Sequence, residues 1–298
     1  MKKILVVYYS QSGQLKQIAD NFIAPFATGV FSIEWLKIEP LVDFPFPWTD
    51  KQFYDAMPES VLAIPMELKP ACLQSDKYDL IVFAYQPWFL SPSIPATSIF
   101  QDVEFKKVLK DTPVVTLIGS RNSWIMAQKR IKSLLLENKA NLIANIVFED
   151  RNTNLISGIT IQYWLYTGKK DRYLGVFPKP GVSDEDIQSA AKYGEIVFNS
   201  VQNNSLALVQ DFLIVEGATP VHPNLLFVEL RGTMLFNIWA NIIIKKKNRN
   251  LWLVIFKYYL IIALFILSPI VLLFYTLLFR PFLSAKIKRE KEFYSKVN

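Results

Sequence analysis

The stretch KILVVYYSQSGQL, residues 3–15, is the part of the sequence that most clearly indicates the fold. It opens with an apolar run rich in valine, which is typical of a strand that is covered on both faces. Two serines and a glycine come next, and apolar residues then recur at helical spacing, at Leu15, Ile18, Ala19, Phe22 and Phe26. The stretch therefore predicts a strand, a tight turn and a helix in immediate succession.

Four further apolar runs are predicted to be strands, at residues 30–36, 79–85, 113–118 and 142–148. Helical patterns lie between them, and the last one follows Ser183-x-x-Asp186, which has the form of a capping box. Strands that alternate with helices imply a parallel sheet with helices on both faces. We therefore predict an α/β fold with a doubly wound five-stranded parallel sheet in the order 2-1-3-4-5.

The formal net charge of +7 is concentrated near one end of the chain. From Lys245 onward there are 11 Lys and Arg residues against 2 Asp and Glu, whereas the preceding residues hold 22 against 24. The body is therefore close to neutral and lacks the excess of positive charge that nucleic-acid binding requires, so no nucleic-acid partner is expected.

The scarcity of cysteine and histidine excludes several classes of site. With Cys72 and His222 as the only residues of their kinds, neither an internal disulfide framework nor a His/Cys zinc site is expected. His222 has no nucleophile-elbow motif to work with, and we interpret it as a structural or surface residue. Any chemistry is therefore expected to depend on a bound organic cofactor and not on a metal.

Residues 258–279 predict association with a membrane. They contain no charged residue over 22 positions, which is long enough for a helix to cross a hydrocarbon core of roughly 30 Å. Basic residues flank the segment on both sides, and Ser268-Pro269 lies within it. A single span and a monotopic element in one leaflet both remain open.

The predicted organisation has a folded domain followed by a hydrophobic extension. Within the domain, residues 37–70 are expected to form a long loop, and residues 150–182, rich in Trp and Tyr, are the candidate lid. The predicted units are a domain at 1–205, a helical connector at 206–250, a membrane segment at 251–279 and a basic tail at 280–298.

Three loops follow the central strands of the predicted sheet, where ligands bind in doubly wound folds. The loop after the first strand offers hydroxyls, a glycine and a helix N-terminus, which together favour a phosphate. The later two loops each supply a tryptophan, as a flat ring system requires. The candidate cofactor-binding residues are Ser10, Gln11, Ser12, Gly13, Gln14, Leu15, Pro87, Trp88, Phe89, Ser120, Arg121, Asn122 and Trp124.

The pattern Ser10-x-Ser12-Gly13 after VVYYS resembles the phosphate loop of flavodoxin-like proteins, although Leu15 stands where that family usually has Thr or Ser. The resemblance covers residues 1–149 and 183–205 and implies FMN as cofactor. With GSRNSWIMAQKRIKSLL (119–135), WLYTGKKD (164–171) and the hydrophobic extension, the chain further resembles the bacterial dialkylresorcinol condensing enzymes of flexirubin-type pigment pathways. That branch implies a ketosynthase partner. We expect the protein to lie on the cytoplasmic face of the inner membrane, anchored by residues 251–279.

The resemblance implies an oxidoreductase, or aromatase, that converts a cyclised, lipid-like diketone into a dialkylresorcinol. A proton leaves carbon next to a carbonyl and a hydride passes to the flavin, so a base is needed. The catalytic residue is not identified, and the candidates are Tyr163, Tyr166, Glu149 and Asp150. Two alternatives remain open: a membrane-bound flavodoxin-type quinone or protoporphyrinogen oxidoreductase, and a non-catalytic, degenerate flavodoxin-like assembly protein.

Overall fold

The structure is a computed structural model that describes residues 1–297. Its five main strands are β1 (Lys2–Tyr8), β2 (Phe31–Lys37), β3 (Leu80–Tyr85), β4 (Pro113–Ser120) and β5 (Asn141–Glu149). They form one parallel sheet in the order β2-β1-β3-β4-β5. The predicted fold class and strand order are therefore confirmed, and each strand lies within two residues of its predicted bounds.

The helices occupy both faces of the sheet and the end of the chain. They are α1 (Gln14–Ile23), α2 (Asp50–Asp55), α3 (Met57–Leu62), α4 (Ile94–Ser98), α5 (Val103–Leu109), α6 (Ile125–Glu137), α7 (Asn154–Thr167), α8 (Asp184–Gln202), α9 (Val209–Val215), α10 (Pro223–Ile243), α11 (Arg249–Ile262), α12 (Ser268–Phe274) and α13 (Ser284–Ser295). One hydrophobic core lies between the sheet and α1, α8 and α9. The other lies between the sheet and α4, α5 and α6.

Helices α1 and α8 approach each other closely because Gly194 faces α1. A Cβ atom built on Gly194 would lie 2.0 Å from the Phe22 carbonyl oxygen, well inside van der Waals contact. Ser183 caps α8 as predicted, since its hydroxyl accepts from the Asp186 N–H at 3.0 Å. The Asp186 carboxylate does not complete a capping box; it accepts from the Ser183 hydroxyl and from Arg151.

The segment 37–70 is not the long loop expected from its proline and aromatic content, because it contains α2 and α3. Thr49 and Gln52 form a reciprocal capping box at the start of α2, which provides partners for backbone donors that have none in the first turn. Pro58 stands in the first turn of α3, where a missing N–H costs nothing. Both helices pack against the C-terminal part of the chain, and α3 lies against α10.

A line of hydrogen bonds crosses the sheet from β3 to the last turn of α13. The Tyr85 hydroxyl donates to Gln128 at 2.8 Å, and Gln128 donates to the Thr116 hydroxyl at 3.0 Å. Thr116 donates to the Asn145 side chain at 2.9 Å. In the final links, the Gln210 side chain accepts from the Asn145 N–H at 2.8 Å and donates to the Ser295 carbonyl at 2.6 Å.

The C-terminal region holds one long apolar helix. Helices α11 and α12 continue through π-helical turns as a single helix, Arg249–Phe279, of 31 residues. Its most apolar window has a mean hydropathy of 2.7, and 11% of that window is buried. By length and composition this helix is able to cross a membrane, which agrees with the predicted membrane segment in position.

Candidate functional site

The loop between β1 and α1 leaves the start of the helix open. Gly13 precedes α1 with φ at +84°, in the left-handed region that glycine tolerates, and at this N-cap position it supplies no side-chain hydrogen bond. The Ser10 hydroxyl accepts from the Lys16 N–H at 3.3 Å. Leu15 points into the core, with a side-chain carbon 3.1 Å from where a Cβ on Gly119 would lie. The Leu15 side chain is therefore not available to a ligand, and only backbone N–H groups of the first turn can serve, of which that of Lys16 is bonded to Ser10.

Two neighbouring segments hold this loop in place. Gln14 exchanges two hydrogen bonds with the backbone of Val182, at 3.0 and 3.1 Å. Gln11 donates to the Pro45 carbonyl at 3.0 Å. The structure therefore gives the two glutamines among the candidate residues a positioning role, whereas Ser12 is half-buried and Gly13 is exposed.

The loop after β3 is a short hairpin that carries an aromatic cluster. Pro87–Trp88 pairs with Ser91–Pro92, and the two residues between them, Phe89 and Leu90, both have positive φ, at 49° and 63°. Because left-handed backbone is costly for such side chains, their packing must compensate for it. Phe89 lies 4.8 Å from the Phe53 ring, centroid to centroid.

Trp88 is half-buried in this cluster. Its ring makes edge-to-face contacts with Tyr9, Phe44 and Trp48, at centroid distances of 6.0, 4.8 and 5.0 Å. The aromatic neighbours of Trp88 are thus supplied by the residue that follows β1 and by the 37–70 segment. The sequence placed Trp88 correctly in the loop after β3 but did not indicate these partners.

The loop after β4 is largely engaged within the protein. Arg121 and Asn122 both donate to the Asn154 side chain, each at 3.0 Å. Trp124 is buried, and its indole N–H donates to the Pro220 carbonyl at 3.0 Å, so it packs in the core and does not present a ring face to a ligand. The Ser120 hydroxyl is buried without a hydrogen-bond partner in the described part of the chain.

Glu229 caps the N-terminus of α6, a role that was not predicted from the sequence. Its carboxylate on α10 accepts from the Met126 N–H at 2.6 Å, and the N–H groups of Ile125 and Trp124 also stabilise its charge. Burial outweighs these bonds and raises the pKa of Glu229 to about 7. The helix N-terminus beside the β4 loop is therefore already occupied by an internal acid.

Glu149 forms a pair with His222, which is exposed at the surface, as the interpretation of His222 as a structural or surface residue requires; the pair itself was not predicted. The imidazole Nε2 and the Glu149 Oε1 are 2.5 Å apart, and this hydrogen bond raises the pKa of His222 despite partial burial. The other carboxylate oxygen of Glu149 is buried and has no partner within residues 1–297. The pair lines a cavity of about 510 Å³ that also includes Asn122, Asn154 and Tyr193.

Asp150, next along the chain, is engaged as a structural acceptor. Its carboxylate receives hydrogen bonds from the Asn152 N–H at 2.9 Å, the Ser157 hydroxyl at 3.1 Å and the Gly181 N–H at 3.2 Å. It thereby joins the start of α7 to the loop before α8. Proton transfer at this residue would break those contacts.

The two candidate tyrosines lie near the far end of α7, apart from the acids. Tyr163 donates to Asp171 at 2.7 Å on the surface. Burial raises the pKa of Tyr166, and the neighbouring Tyr54 and Asp50 raise it further. The structure thus brings Glu149 and Asp150 to one edge of the sheet with His222 and does not bring the tyrosines to the same place.

The candidate lid is mostly helical. Helix α7 fills the first half of 150–182 and buries Trp164, whose ring lies in edge-to-face contact with Phe46 at 5.9 Å. The Trp48 N–H also donates to the Leu165 carbonyl at 2.8 Å. The lid and the 37–70 segment therefore meet above the carboxyl ends of the strands.

Comparison with known proteins gives neighbours in structure but none in sequence. No protein-family model matches the chain, and no curated protein is similar to it. Among solved structures, a flavoprotein in complex with FMN from Lactobacillus acidophilus is 17% identical with a TM-score of 0.41, covering 49% of this chain and 93% of that one. A flavodoxin from the domain Archaea is 11% identical with a TM-score of 0.37, covering 68% and 99%.

A third neighbour, oxidised Flavodoxin 2 from Bacillus cereus, is 14% identical with a TM-score of 0.35, covering 65% of this chain and 96% of that one. Because these identities and TM-scores are low, the fold is assigned from the sheet of this protein, from its parallel strands and their order β2-β1-β3-β4-β5. That order is the one found in flavodoxin and in other doubly wound proteins.

Proposed function

We propose that this protein is a membrane-associated flavoprotein that holds the phosphate of FMN in the loop 10–15. The observation that carries the proposal is the start of α1 at the carboxyl end of β1, where Gly13 supplies no side-chain cap and the Ser10 hydroxyl engages the N–H of Lys16. An anion at this position is stabilised by the N–H groups and by the helix dipole.

The residues of the phosphate end fit the group. A Cβ atom built on Gly13 meets nothing within 4 Å, so the space in front of the loop is free, and φ at +84° explains the need for glycine. At the ring end, Trp88 is the half-buried aromatic residue that a flat ring would contact, whereas Trp124 is not available. FMN would supply the hydride acceptor of a redox reaction.

For the substrate, we propose a cyclised diketone with alkyl chains, which loses two hydrogens to become a dialkylresorcinol. The resemblance of the loops and of the apolar extension to dialkylresorcinol condensing enzymes supports this substrate, and a ketosynthase would then provide it. Glu149 with His222 is the arrangement best suited to accept the proton, because the carboxylate orients the imidazole. Turnover of a quinone but not of cyclohexanediones would favour the quinone oxidoreductase instead.

The first experiment is the absorption spectrum of detergent-purified protein with identification of the released chromophore. We expect FMN in the wild type and its loss in Gly13→Asp, which places a carboxylate where the phosphate would lie. Gly29→Asp is the matched control, because Gly29 also has positive φ, at +76°, with open space around it. Wild-type protein that is colourless and takes up no added FMN would refute the proposal.

The non-catalytic assembly protein is a second candidate, favoured by one specific observation. Trp124 is buried, Arg121 is bound to Asn154, and Trp88 is surrounded by aromatic side chains, so the region that a flavin ring would use is substantially filled. A protein that binds no FMN but still associates with membranes would support this function.

A further inference from the structure

The long apolar helix, Arg249–Phe279, is too closely attached to the body to behave as a simple span. At 1.5 Å per residue its 31 residues extend about 46 Å, beyond the roughly 30 Å of a hydrocarbon core. Its first turns carry Arg249 and Lys257, both charged, so only the part from Tyr258 onward is free of charge.

The start of the helix is anchored on α2 and α3 by ionic and apolar contacts. Arg249 pairs with Asp55 at 2.8 Å and with Glu59 at 2.6 Å. Lys257 pairs with Asp50 at 2.8 Å, two turns further along. Between these pairs, Leu253 and Phe256 are buried against Tyr54, Met57, Ala240 and Ile243.

The middle and the end of the helix also contact the body. A Cβ atom on Gly158 of α7 would lie 3.4 Å from Leu264 and 3.6 Å from Phe265. Near the end, the Tyr275 ring stacks on Phe227 of α10 with 4.0 Å between centroids. Contacts at the start, the middle and the end of the helix mean that it runs over the surface of the body and does not project from it.

The segment that follows the helix returns to the same body. Tyr294 of α13 packs against the core on the α6 face of the sheet. The Ser295 carbonyl accepts from Gln210 at 2.6 Å, and the Lys296 carbonyl accepts from Lys132 at 3.4 Å. A helix crossing the bilayer would place α13 on the opposite side and break every one of these contacts.

The outward face of the helix is apolar and unpartnered. Among its side chains, a third to two-thirds of the surface is exposed for Leu251, Val254, Ile255, Tyr258, Ile262, Ile266, Leu267, Ile270, Val271, Leu273, Phe274, Leu277, Leu278 and Phe279. Patches of this extent on a protein surface mark a binding site for a protein or a membrane. Basic residues flank the helix on both sides, at Lys245–Lys247 before it and at Arg280, Lys286, Lys288 and Arg289 after it.

We infer that the protein is monotopic: the helix Arg249–Phe279 lies along one face of the bilayer and inserts its apolar side into a single leaflet of anionic lipid. The body and α13 stay on that same side. Apolar area and positive charge act together in such binding, since the area partitions into the acyl region and the basic residues meet the anionic headgroups. The inference does not depend on FMN.

Labelling of cysteines tests the topology. Cys72 is exposed on the body and is the only native cysteine, so it reports one side of the membrane. Lys288→Cys in a Cys72→Ser background reports the side of α13. In sealed vesicles of one orientation, we expect a membrane-impermeant maleimide to give the two proteins the same response, either both labelled or both protected, with full labelling of both in detergent. Opposite responses would overturn the inference.

Vesicle binding tests the surface itself. We expect the full-length protein to bind vesicles of phosphatidylcholine with phosphatidylglycerol more tightly than vesicles of phosphatidylcholine alone, and less tightly as salt increases. Leu273→Glu should weaken binding roughly tenfold or more, since it removes an exposed leucine that would enter the acyl region and adds a charge. Val103→Glu on α5, equally exposed but remote from the helix, is the control. An equal loss of vesicle binding in both variants, or no binding of the wild type to either kind of vesicle, would show that the apolar face of the helix does not bind lipid.

Discussion

The buried carboxyl of Glu229 makes the stability of the protein depend on pH in a direction that can be calculated. Its pKa rises from 4.5 in the unfolded chain to about 7 in the fold, because burial disfavours the charge more than the α6 N–H groups favour it. A group with a raised pKa contributes stability fully below pH 4.5, and that contribution is lost as the pH rises through 7.

The size of the effect follows from the shift. Each unit of pKa corresponds to about 1.4 kcal/mol, so between pH 5 and pH 8 ionisation of Glu229 should lower the free energy of unfolding by about 2 to 3 kcal/mol. Glu229→Gln removes the ionisation but keeps an oxygen that can accept from Met126. The substitution itself can change the free energy of unfolding by an amount that does not depend on pH. The ionisation of Glu229 adds a second contribution, so the difference between the two proteins should change with pH.

The assay is denaturant unfolding of both proteins in mild detergent at several pH values. We expect Glu229→Gln to gain about 2 to 3 kcal/mol relative to the wild type between pH 5 and pH 8. Glu195→Gln, on the exposed face of α8, is the control for loss of a carboxylate. A difference between the wild type and Glu229→Gln that stays constant over this range would show that the carboxyl is not held neutral by burial.

Two further predictions concern the sheet edge and the helix crossing. The imidazole of His222 should titrate by NMR with a midpoint above 6.5, and Glu149→Gln should return the midpoint towards that value. The stability that this pair contributes is present below pH 6.5 and is lost as the pH rises through the folded pKa. An unchanged midpoint in Glu149→Gln would contradict the contact. Gly194→Ala should force α1 and α8 apart, because the new Cβ would lie 2.0 Å from the Phe22 carbonyl oxygen, and should cost about 2 kcal/mol or more in thermal unfolding. Glu195→Ala in the same helix should have little effect, and equal melting temperatures for the two variants would refute the close crossing.

The sheet could be predicted from the sequence because its signals are local. Continuous apolar runs such as DLIVFAY (79–85) read as buried strands, and the spacing from Leu15 to Phe26 reads as a helix with one apolar face. The start of α2 was also encoded locally, in Thr49-x-x-Gln52, but the surrounding prolines and aromatic residues concealed it. A proline-rich stretch can contain helices when each proline falls in a first turn, as Pro58 does.

The candidate site could be predicted only in part, because its decisive contacts join distant parts of the chain. Glu149 meets His222 across 73 residues, and Glu229 reaches Met126 across 103. No periodicity or motif in one sequence indicates such a partner. For the same reason the sequence located Trp88 and Trp124 on the correct loops but did not distinguish the half-buried ring from the one in the core.

The line of hydrogen bonds that ends at Ser295 has a consequence for the order in which the fold forms. Gln210 has one partner in β5 and a second in the last turn of α13, 85 residues later in the chain. Contacts between such distant residues are slow to form, since a long loop must close first. We therefore expect α13 to dock after the sheet and α9 have formed. The apolar helix Arg249–Phe279 lies within that loop, so the link to Ser295 fixes the far end of the segment that contains the helix.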